Sequence, residues 1–444
     1  MFSLLATTDI KQGIYLNGAI PWEQPDEYYN MLSSNVCIMG GNTWHNGIFS
    51  TINCATAVLK YKSETDLIPR PNLVFHSIDD CVEYFSTSKL YKGRKLFVIG
   101  GSSLYRQFIE RKLVYDIHIF TLYNDYNCDK TIKFPKMKLE NEIKINCDMT
   151  YREYYTINKE EDAFLQLMSE IIRFGNFRDD RTGAGTVSLF SRELRFDLSK
   201  DNIPMITTRP LSLKIIFEEL MWILRGQTDN SVLKNKNINI WEPNTTREFL
   251  DSAGLDLPVG DIGASYGFQM RHFGAEYITC RESYDNKGFD QLQHVISLLK
   301  NNPTSRRILI NLYNPTQLNQ MALPPCVYGY QFYVANNTLS CKLIQRSSDI
   351  ALAGSHNCAS GALFVRMLCC ITGLKPGELI WSPGDIHIYN NQIESAREQL
   401  ERNPKPFPIL KIINSPDNIL DFTFECFQLL NYSPYPRIQF AMNA

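Results

Sequence analysis

The sequence predicts two folded domains, an α/β domain followed by a domain that combines helices with antiparallel strands. The 444 residues give length for about two to three domains. Up to about residue 157, short apolar runs of strand length alternate with segments of helical periodicity, which is typical of α/β domains. Further on, the sequence predicts an amphipathic helix at 215–222 and a hairpin at 330–344.

The composition is that of a globular protein. With 44% hydrophobic residues, 21% charged residues and a formal net charge of -2, nucleic acid and anionic membranes are not expected as main partners. The twelve cysteines show no C-x-x-C spacing, so we expect free thiols in a reducing cytosol and no metal site. Asp9 comes too early for a signal peptide, and Arg366 interrupts the apolar stretch 361–371. We therefore expect a cytoplasmic protein.

Five apolar runs predict strands in the first half, at 3–7, 36–39, 72–75, 96–99 and 117–120. A helix-like segment lies between the third and fourth runs, and another begins directly after Gly100-Gly101. A strand followed by glycines and a helix N-terminus presents backbone N–H groups to a phosphate. The same glycine pair also fits a plain turn.

Four ordered motifs carry a family resemblance in the first half: Asn17-Gly-Ala-Ile-Pro-Trp22, Met39-Gly-Gly-Asn-Thr-Trp44, Arg70-Pro-Asn72 and Val98-Ile-Gly-Gly101. In this order and spacing, residues 1–157 resemble dihydrofolate reductase. The resemblance implies a mixed, mostly parallel sheet flanked by helices. It also implies hydride transfer from NADPH to C6 of a dihydropterin, with protonation at N5.

The resemblance assigns Glu27 as the carboxylate that holds the pterin. A single carboxylate in an apolar pocket can bind the pterin amino and N3–H groups and support protonation of N5. Asp26 is the alternative, and an acidic pair after Pro25 also fits the start of a helix. Arg70 is implied to bind the carboxylate of the folate tail. The expected NADPH contacts are Thr7, Ile14, Gly18, Ala19, Gly40, Thr43, Gly100, Gly101 and Ser102.

The first half also departs from the family pattern. Gly41-Asn42 and Ser102-Ser103 stand where the family usually has basic residues for the cofactor phosphate. Phe120 stands where a threonine usually lies behind the catalytic carboxylate. These differences motivate an alternative in which the first domain is a weak or inactive scaffold.

Residues 151–157 predict a closing strand, and residues 158–161 a short polar linker. Phe164, Met168 and Ile171 then fall at helical spacing. The second domain is expected to run over 162–444.

Cys326 directly precedes the predicted hairpin. Its strands lie at 330–334 and 339–344, joined by the turn formers Asn336-Asn337, and Arg346 and Asp349 follow the second strand. The hairpin would therefore hold a possible nucleophile beside an anion-binding arginine. Taken alone, Cys326 also fits a small buried hydrophobic residue.

A second ordered set of motifs surrounds this cysteine: Asp180-Arg-Thr-Gly-Ala-Gly-Thr186, Ile215-Ile-Phe-Glu-Glu-Leu-Met-Trp222, Ser305-Arg306-Arg307, Pro324-Pro-Cys326 and Gly384-Asp-Ile-His-Ile-Tyr389. From Glu161 onward the chain resembles thymidylate synthase, which implies an α+β fold and an obligate homodimer with shared sites. It also implies methylation of dUMP by 5,10-methylenetetrahydrofolate. The two halves would then form a bifunctional enzyme, because the second makes the dihydrofolate that the first consumes.

The resemblance assigns the catalytic roles of the second half. Cys326 is implied to attack C6 of dUMP, Glu219 to support proton movements through water, and Tyr266 to assist removal of the C5 proton. Asn357 is implied to read the uracil edge. Four arginines near Cys326 would lower its thiol pKa. The expected dUMP contacts are Arg181, Arg306, Arg307, Gln345, Arg346, Ser347, Ser348, Asp349, Asn357, His387 and Tyr389.

Folate is expected at Asp349 and at the C-terminal Ala444. The second half departs from its family at Leu352-Ala-Gly-Ser-His356, which replaces the usual Leu-Gly-x-Pro-Phe, and at Val327, where a histidine usually follows the nucleophile. We expect these changes to affect folate handling more than the chemical step. A regulator that binds RNA is a third hypothesis, which the net charge of -2 does not favour.

Overall fold

The computed structural model describes residues 1–45, 52–60, 67, 70–180 and 183–442. The chain divides into two compact units. The first contains Met1–Asn158 with Pro404–Pro406 and Leu430–Ser433, and the second contains Lys159–Asn403, Phe407–Leu429 and Pro434–Ala444. In the described ranges, no helix has the length and apolar character needed to cross a bilayer. All twelve cysteines are free thiols, as expected.

The first unit is built on an eight-stranded sheet with the order β5-β4-β3-β6-β1-β7-β10-β9. Its strands are β1 (Phe2–Thr8), β3 (Val36–Gly40), β4 (Ala55–Leu59), β5 (Leu73–Phe75), β6 (Leu96–Gly100), β7 (Val114–Leu122), β9 (Met137–Lys144) and β10 (Met149–Thr156). Neighbouring strands are parallel from β5 through β7, and only β10 pairs antiparallel, with β7 and with β9. The prediction of a mixed, mostly parallel sheet is confirmed.

The five predicted strands of this unit correspond to β1, β3, β5, β6 and β7, while β4 and β9 were not predicted. A separate small ribbon joins β2 (Gly13–Tyr15) to β8 (Lys130–Thr131). The helices are α1 (Asp26–Leu32), α2 (Gly41–His45), α3 (Ile78–Thr87) and α4 (Ser102–Glu110). Helix α1 packs Tyr28 and Leu32 into an apolar cluster with sheet residues such as Leu5 and Phe97, which fixes the rotation of this helix.

The second unit contains a sheet with the order β11-β12-β17-β16-β15-β14, and β13 also pairs with β17. Its strands are β11 (Asn176–Arg178), β12 (Thr186–Phe190), β13 (Leu194–Asp197), β14 (Leu309–Asn311), β15 (Val327–Ala335), β16 (Thr338–Asp349) and β17 (Lys375–Tyr389), with β18 (Ile409–Ile412) and β19 (Phe427–Leu430) forming a separate pair. Strands β16 and β17 run parallel, whereas the other pairs of this sheet are antiparallel. The α+β prediction is confirmed.

The helices of this unit are α5 (Lys159–Phe174), α6 (Leu213–Leu224), α7 (Ser231–Lys234), α8 (Arg247–Ser252), α9 (Tyr266–His272), α10 (Gln291–Asn301), α11 (Ser355–Thr372) and α12 (Ile393–Leu400). Helix α11 is central. Most of its residues from Ser355 to Cys369 are buried, and it packs against β16, β17 and α6. A helix that is apolar almost all round requires such a covered position.

The predicted linker differs from the structure, because helix α5 already begins at Lys159. Acidic residues are favourable in the first turn of a helix, and Glu161 is fully buried. Its carboxylate accepts hydrogen bonds from the backbone N–H and hydroxyl groups of Thr207 and Thr208, at 2.7–2.9 Å. Residues 159–161 therefore belong to the folded second unit, because the buried carboxylate of Glu161 ties the start of α5 to Thr207 and Thr208.

We predict that Glu161 makes the stability of the second unit dependent on pH. Burial raises the pKa of its carboxyl from 4.5 to about 7, against the four hydrogen bonds. Since the folded state favours the protonated form, this stabilisation is present below pH 4.5 and is lost as the pH rises through about 7. The free energy of unfolding should fall by about 3 kcal/mol over this interval.

Urea unfolding of wild type and Glu161→Gln across pH 4–8 would measure this effect. The glutamine keeps hydrogen-bonding groups but has no charge, so its unfolding midpoint should vary less with pH. Asp162→Asn removes the neighbouring, more exposed carboxylate and should keep the wild-type pH dependence. Equal pH dependence in wild type and Glu161→Gln would contradict the assignment.

Candidate active site

The predicted hairpin is confirmed, and it places Cys326 beside Arg346. Strands β15 and β16 pair antiparallel and are joined through Asn336 and Asn337. Both asparagines have positive φ, at 51° and 59°, which is the conformation that two-residue hairpin turns require. The Arg346 N–H donates to the Cys326 carbonyl at 2.8 Å, so the two residues lie opposite each other at the open end of the hairpin.

The guanidinium of Arg346 holds the loop that carries the thiol. Its Nε donates to the Pro325 carbonyl at 3.0 Å and its Nη2 to the Pro324 carbonyl at 2.8 Å. The same Nη2 lies 3.6 Å from the Sγ of Cys326. The guanidinium therefore satisfies both proline carbonyls and brings a positive charge to the sulfur.

The thiol pKa differs from our expectation. Burial raises the pKa of Cys326 above its ordinary value, and the positive charge of Arg346 only opposes that shift. In the single chain only Arg346 acts on the thiol, so the lowering expected from four arginines, two of them from a partner subunit, stays a prediction. Arg306 and Arg307 lie exposed in the turn before β14, and Arg181 lies outside the described residues.

Glu219 and Tyr266 are brought to the cysteine by α6 and by the start of α9. The Cys326 N–H donates to the Tyr266 hydroxyl at 2.8 Å. Trp241 lies against Tyr266, with 5.5 Å between ring centroids, and donates its Nε1–H to Oε1 of Glu219 at 2.9 Å. Burial raises the pKa of Tyr266 well above its ordinary value, so its hydroxyl stays protonated. The three predicted catalytic residues of the second half therefore share one site.

The second carboxylate oxygen of Glu219 has a partner that we did not predict. Nε2 of His356 lies 2.8 Å from Oε2. His356 stands at a position singled out as a departure from the family pattern, but its contact with Glu219 depends on how α11 packs beside α6, which the sequence does not reveal.

Asn357 lies in the first turn of α11, and His387 lies near the end of β17, where it pairs with Asp349 of β16. Asn357 is half-buried, and its side chain makes no hydrogen bond to the residues that the structure describes. His387 bonds through Nδ1 to Oδ1 of Asp385 at 3.0 Å and its ring lies 5.2 Å from that of Tyr389. The amide of Asn357 is thus available to a ligand, while the carboxylate orients the imidazole.

The predicted residues of β16 fall into two groups. Gln345 is buried, donates to the Ser347 carbonyl at 2.9 Å and accepts from Nε1 of Trp381 at 2.8 Å. Its side chain is therefore committed to the core. Ser347 is half-buried. The hydroxyl of Ser348 is buried and has no partner among the described residues, so it remains available to a bound molecule.

Asp349 joins the strand end to the C-terminal segment. One carboxylate oxygen accepts from the Leu352 N–H at 3.0 Å, and the other accepts from Nε2 of Gln392 at 2.8 Å. The same Nε2 donates to the Ala441 carbonyl at 2.8 Å. Burial raises the pKa of Asp349, against these hydrogen bonds. The predicted folate contact at Ala444 lies outside the described residues.

In the first unit, Gly100 and Gly101 at the end of β6 lie close to Thr43 of α2. A Cβ atom on Gly100 would lie 3.0 Å from the hydroxyl of Tyr15 and 3.4 Å from Oγ1 of Thr43. Gly100 also has a φ of +133°, which side chains rarely adopt. Gly101 occupies the N-cap of α4 without a side-chain cap. The bare backbone in front of this helix fits the phosphate-bearing group of a dinucleotide.

The other predicted cofactor contacts have different surroundings. Ile14 is buried, while Gly18 and Ala19 are exposed in a tight turn in which the Ala19 N–H donates to the Leu16 carbonyl at 3.1 Å. Thr7 is buried and donates its hydroxyl to Oε1 of Gln24. Gly40 and Ser102 are half-buried.

The structure corrects the expected surroundings of Glu27. Both Glu27 and Asp26 are exposed in the first turn of α1, not enclosed in an apolar pocket. The buried position belongs to Tyr28, whose ring lies 6.2 Å from that of Phe120. Because α1 buries Tyr28 and Leu32, which are four residues apart, Glu27 lies on a different face. No side chain in this helix supplies a buried carboxylate.

Two further groups border this region. Arg70 is exposed. Two residues later, the Asn72 side chain accepts from the Thr56 N–H at 2.8 Å, tying the loop to β4. The indole N–H of Trp22 is buried and has no acceptor in the described part of the chain. An unpaired buried donor of this kind calls for a ligand or water.

Residues 162–444 match the family model of thymidylate synthase. The chain therefore belongs to the thymidylate synthase family. Over this region it is similar to the thymidylate synthase of Saccharomyces cerevisiae, with 46% identity across 64% of this chain and 98% of that protein.

The similarity extends over both units. The bifunctional dihydrofolate reductase-thymidylate synthase of Paramecium tetraurelia is 35% identical over 99% of this chain and 98% of its own length. The Plasmodium berghei protein of that name is 33% identical over 100% of this chain and 84% of its own length. The chain belongs to the family of bifunctional dihydrofolate reductase–thymidylate synthases, and the alternative of a mere scaffold in the first half is not favoured.

Proposed function

We propose that this protein converts dUMP to dTMP at the Cys326 site and reduces the dihydrofolate produced with NADPH in the first unit. The contacts that join Cys326 to Arg346 and Tyr266, and Tyr266 through Trp241 to Glu219, carry this proposal. A thiol beside a guanidinium, next to a carboxylate and a tyrosine, suits addition of sulfur to an electron-poor ring followed by proton removal.

The reaction begins when the thiolate of Cys326 forms a bond to C6 of dUMP, which makes C5 nucleophilic. C5 then attacks the methylene group of methylenetetrahydrofolate. Removal of the C5 proton, assisted by Tyr266, and departure of tetrahydrofolate leave an exocyclic methylene. Tetrahydrofolate gives this carbon a hydride, Cys326 leaves C6, and dTMP and dihydrofolate result. Glu219 supports the proton movements through water.

A charged group binds the phosphate of dUMP, and hydrogen-bonding groups bind its base and its ribose. Arg346 binds the phosphate of dUMP while it holds the proline loop, and Ser347 and Ser348 add hydroxyl donors. The Asn357 amide accepts from N3–H of uracil and donates to O4. An ionised aspartate could not make the second of these bonds, because it has no donor. His387 and Tyr389 bind the ribose hydroxyl, with the imidazole oriented by Asp385. Asp349 holds folate near the C-terminal segment.

We propose that the protein acts as a homodimer in which Arg306 and Arg307 complete the partner's phosphate site. The sheet of the second unit supports this, because α11 covers one face through contacts such as Phe332 with Phe364. The other face leaves Tyr333 68% exposed and Leu309 46% exposed. Neither arginine forms an ion pair with a described residue, and both precede the edge strand β14.

Complementation between two inactive variants tests the shared site and the nucleophile together. Cys326→Ala should form no dTMP while it still binds dUMP, because the ring cannot be attacked without the thiol. Arg306→Ala should lose most activity through weaker phosphate binding. Co-purified mixed dimers should regain activity, because one of their two sites has both groups intact. The readout is dTMP formation by dimers carrying two different tags.

No recovery in mixed dimers would contradict the partner-donated arginine. Turnover by Cys326→Ala above trace level would contradict the nucleophile assignment. Cys370→Ala serves as the control, since this half-buried thiol lies on α11 outside the site and its removal should leave dTMP formation unchanged.

In the first unit, Gly100, Gly101 and Ser102 hold the phosphates of NADPH by their backbone N–H groups, with Gly40 and Thr43 beside them. Bound NADPH supplies a hydride. Glu27 supplies the proton and binds the pterin when the ligand covers its exposed position, and Arg70 binds the folate tail. Trp22 offers its free indole N–H to the same region.

NADPH oxidation with dihydrofolate tests these assignments. Wild type should turn over, and Glu27→Gln should lower kcat by about 100-fold because the proton source is lost. Asp26→Asn is the matched control and should retain activity. Equal losses in both variants, or full activity of Glu27→Gln, would contradict the role of Glu27. If wild type methylates dUMP but oxidises no NADPH, the reductase activity itself is contradicted.

A further inference from the structure

Both oxygens of the Glu219 carboxylate are held by aromatic N–H groups. Oε1 accepts from Nε1 of Trp241 at 2.9 Å, and Oε2 lies 2.8 Å from Nε2 of His356. The His356 and Glu219 side chains are only 22% and 16% exposed. A charge-assisted hydrogen bond in such a partly desolvated place is stronger than one at the surface.

The backbone before His356 is fixed from two sides. A π-helical turn, Ile350–Gly354, precedes α11, and its start is capped by Asp349, whose carboxylate accepts from the Leu352 N–H. Arg209 donates through Nη2 to the Leu352 carbonyl at 2.7 Å and to the Ser355 hydroxyl at 2.9 Å. His356 therefore projects from a rigid first turn of α11, and π-helical turns of this kind are frequent at functional sites.

The contact connects to the reacting cysteine through a continuous set of groups. His356 bonds Glu219, Glu219 bonds Trp241, and Trp241 packs against Tyr266. The Tyr266 hydroxyl then accepts from the N–H of Cys326. An imidazole that served only to fill space would not need its nitrogen directed at a carboxylate.

The side chain that follows the nucleophile cannot donate a hydrogen bond to Glu219 in place of His356. Val327 is buried, with no side-chain donor, and within the described ranges His356 is the one histidine that makes a hydrogen bond with Glu219, Tyr266 or Cys326. His356 is thus the imidazole through which this chain acts on Glu219.

We propose that His356 is a positioning residue for Glu219, resting on the proposed thymidylate synthase function. Its Nε2–H donates to Oε2, as the Trp241 N–H donates to Oε1, so that the carboxylate is held in one orientation toward the water that carries protons. The role requires a donor at this distance from the backbone. It does not require contact of His356 with the substrate.

Two amide variants of different length test the proposal. The amide of His356→Gln reaches about as far as Nε2 of histidine and keeps a donor for Oε2. That of His356→Asn is one methylene shorter and does not reach the carboxylate. Loss of one hydrogen bond to a charged group corresponds to about a 10- to 100-fold effect on rate. We expect that loss in kcat for dTMP formation by His356→Asn, with KM for dUMP nearly unchanged, and recovery to within about threefold of wild type in His356→Gln.

His356→Phe removes the donor altogether while keeping similar bulk, and should match His356→Asn, whose donor is out of reach. His294→Gln, on the exposed side of α10, is the control for histidine replacement and should behave as wild type. Wild-type kcat in both His356→Asn and His356→Phe would overturn the proposal. So would equal losses in the glutamine and asparagine variants, because this pattern means that shape, not donation, matters. If the wild-type protein forms no dTMP, the proposed synthase function is contradicted. This result differs from the two outcomes above, in which wild type is active and only the role of His356 is contradicted.

Discussion

The parallel pairing of β16 with β17 is the constraint on which the site of the second unit depends. Its register puts Ser347 opposite Asp385 and Asp349 opposite His387. The polar residues of the two strands therefore lie together at the C-terminal ends of β16 and β17. The hairpin partner β15 then brings Cys326 to the same edge through the bond between the Arg346 N–H and the Cys326 carbonyl. Helix α11 follows β16 after one π-helical turn and adds His356 and Asn357. A shift of this pairing by one residue would turn this polar set to the other face of the sheet.

Burial and charge act against each other at the thiol. Burial raises the pKa of Cys326, and Arg346 offsets part of that rise. In a homodimer with shared sites, the partner's exposed Arg306 and Arg307 would add positive charge that a single chain lacks.

In the second unit the sequence predicted the hairpin and its site residues, because these residues lie at the ends of strands whose apolar patterns and turn residues are clear. The turn formers Asn336-Asn337 predicted where the hairpin turns, and the pairing of its two strands then predicted that Arg346 lies beside Cys326. The contact of His356 with Glu219 was not predictable, because the two residues are far apart in the chain. In the first unit, β9 was missed because it is a charged, exposed edge strand, and such strands carry no apolar alternation. The rotation of α1 was also missed, because the burial of Tyr28 and not the motif around Trp22 decides which side Glu27 faces.

Covalent trapping of the nucleotide tests the central claim that Cys326 attacks the pyrimidine ring. With 5-fluoro-dUMP and methylenetetrahydrofolate, a fluorine replaces the C5 proton and cannot leave as a proton does. The reaction should therefore stop with the sulfur of Cys326 bonded to C6 of the nucleotide and the folate bonded through its methylene to C5. Peptide mass spectrometry should then find the nucleotide and folate masses on the peptide that contains Cys326. No adduct, or an adduct on any of the other eleven cysteines, would contradict the account.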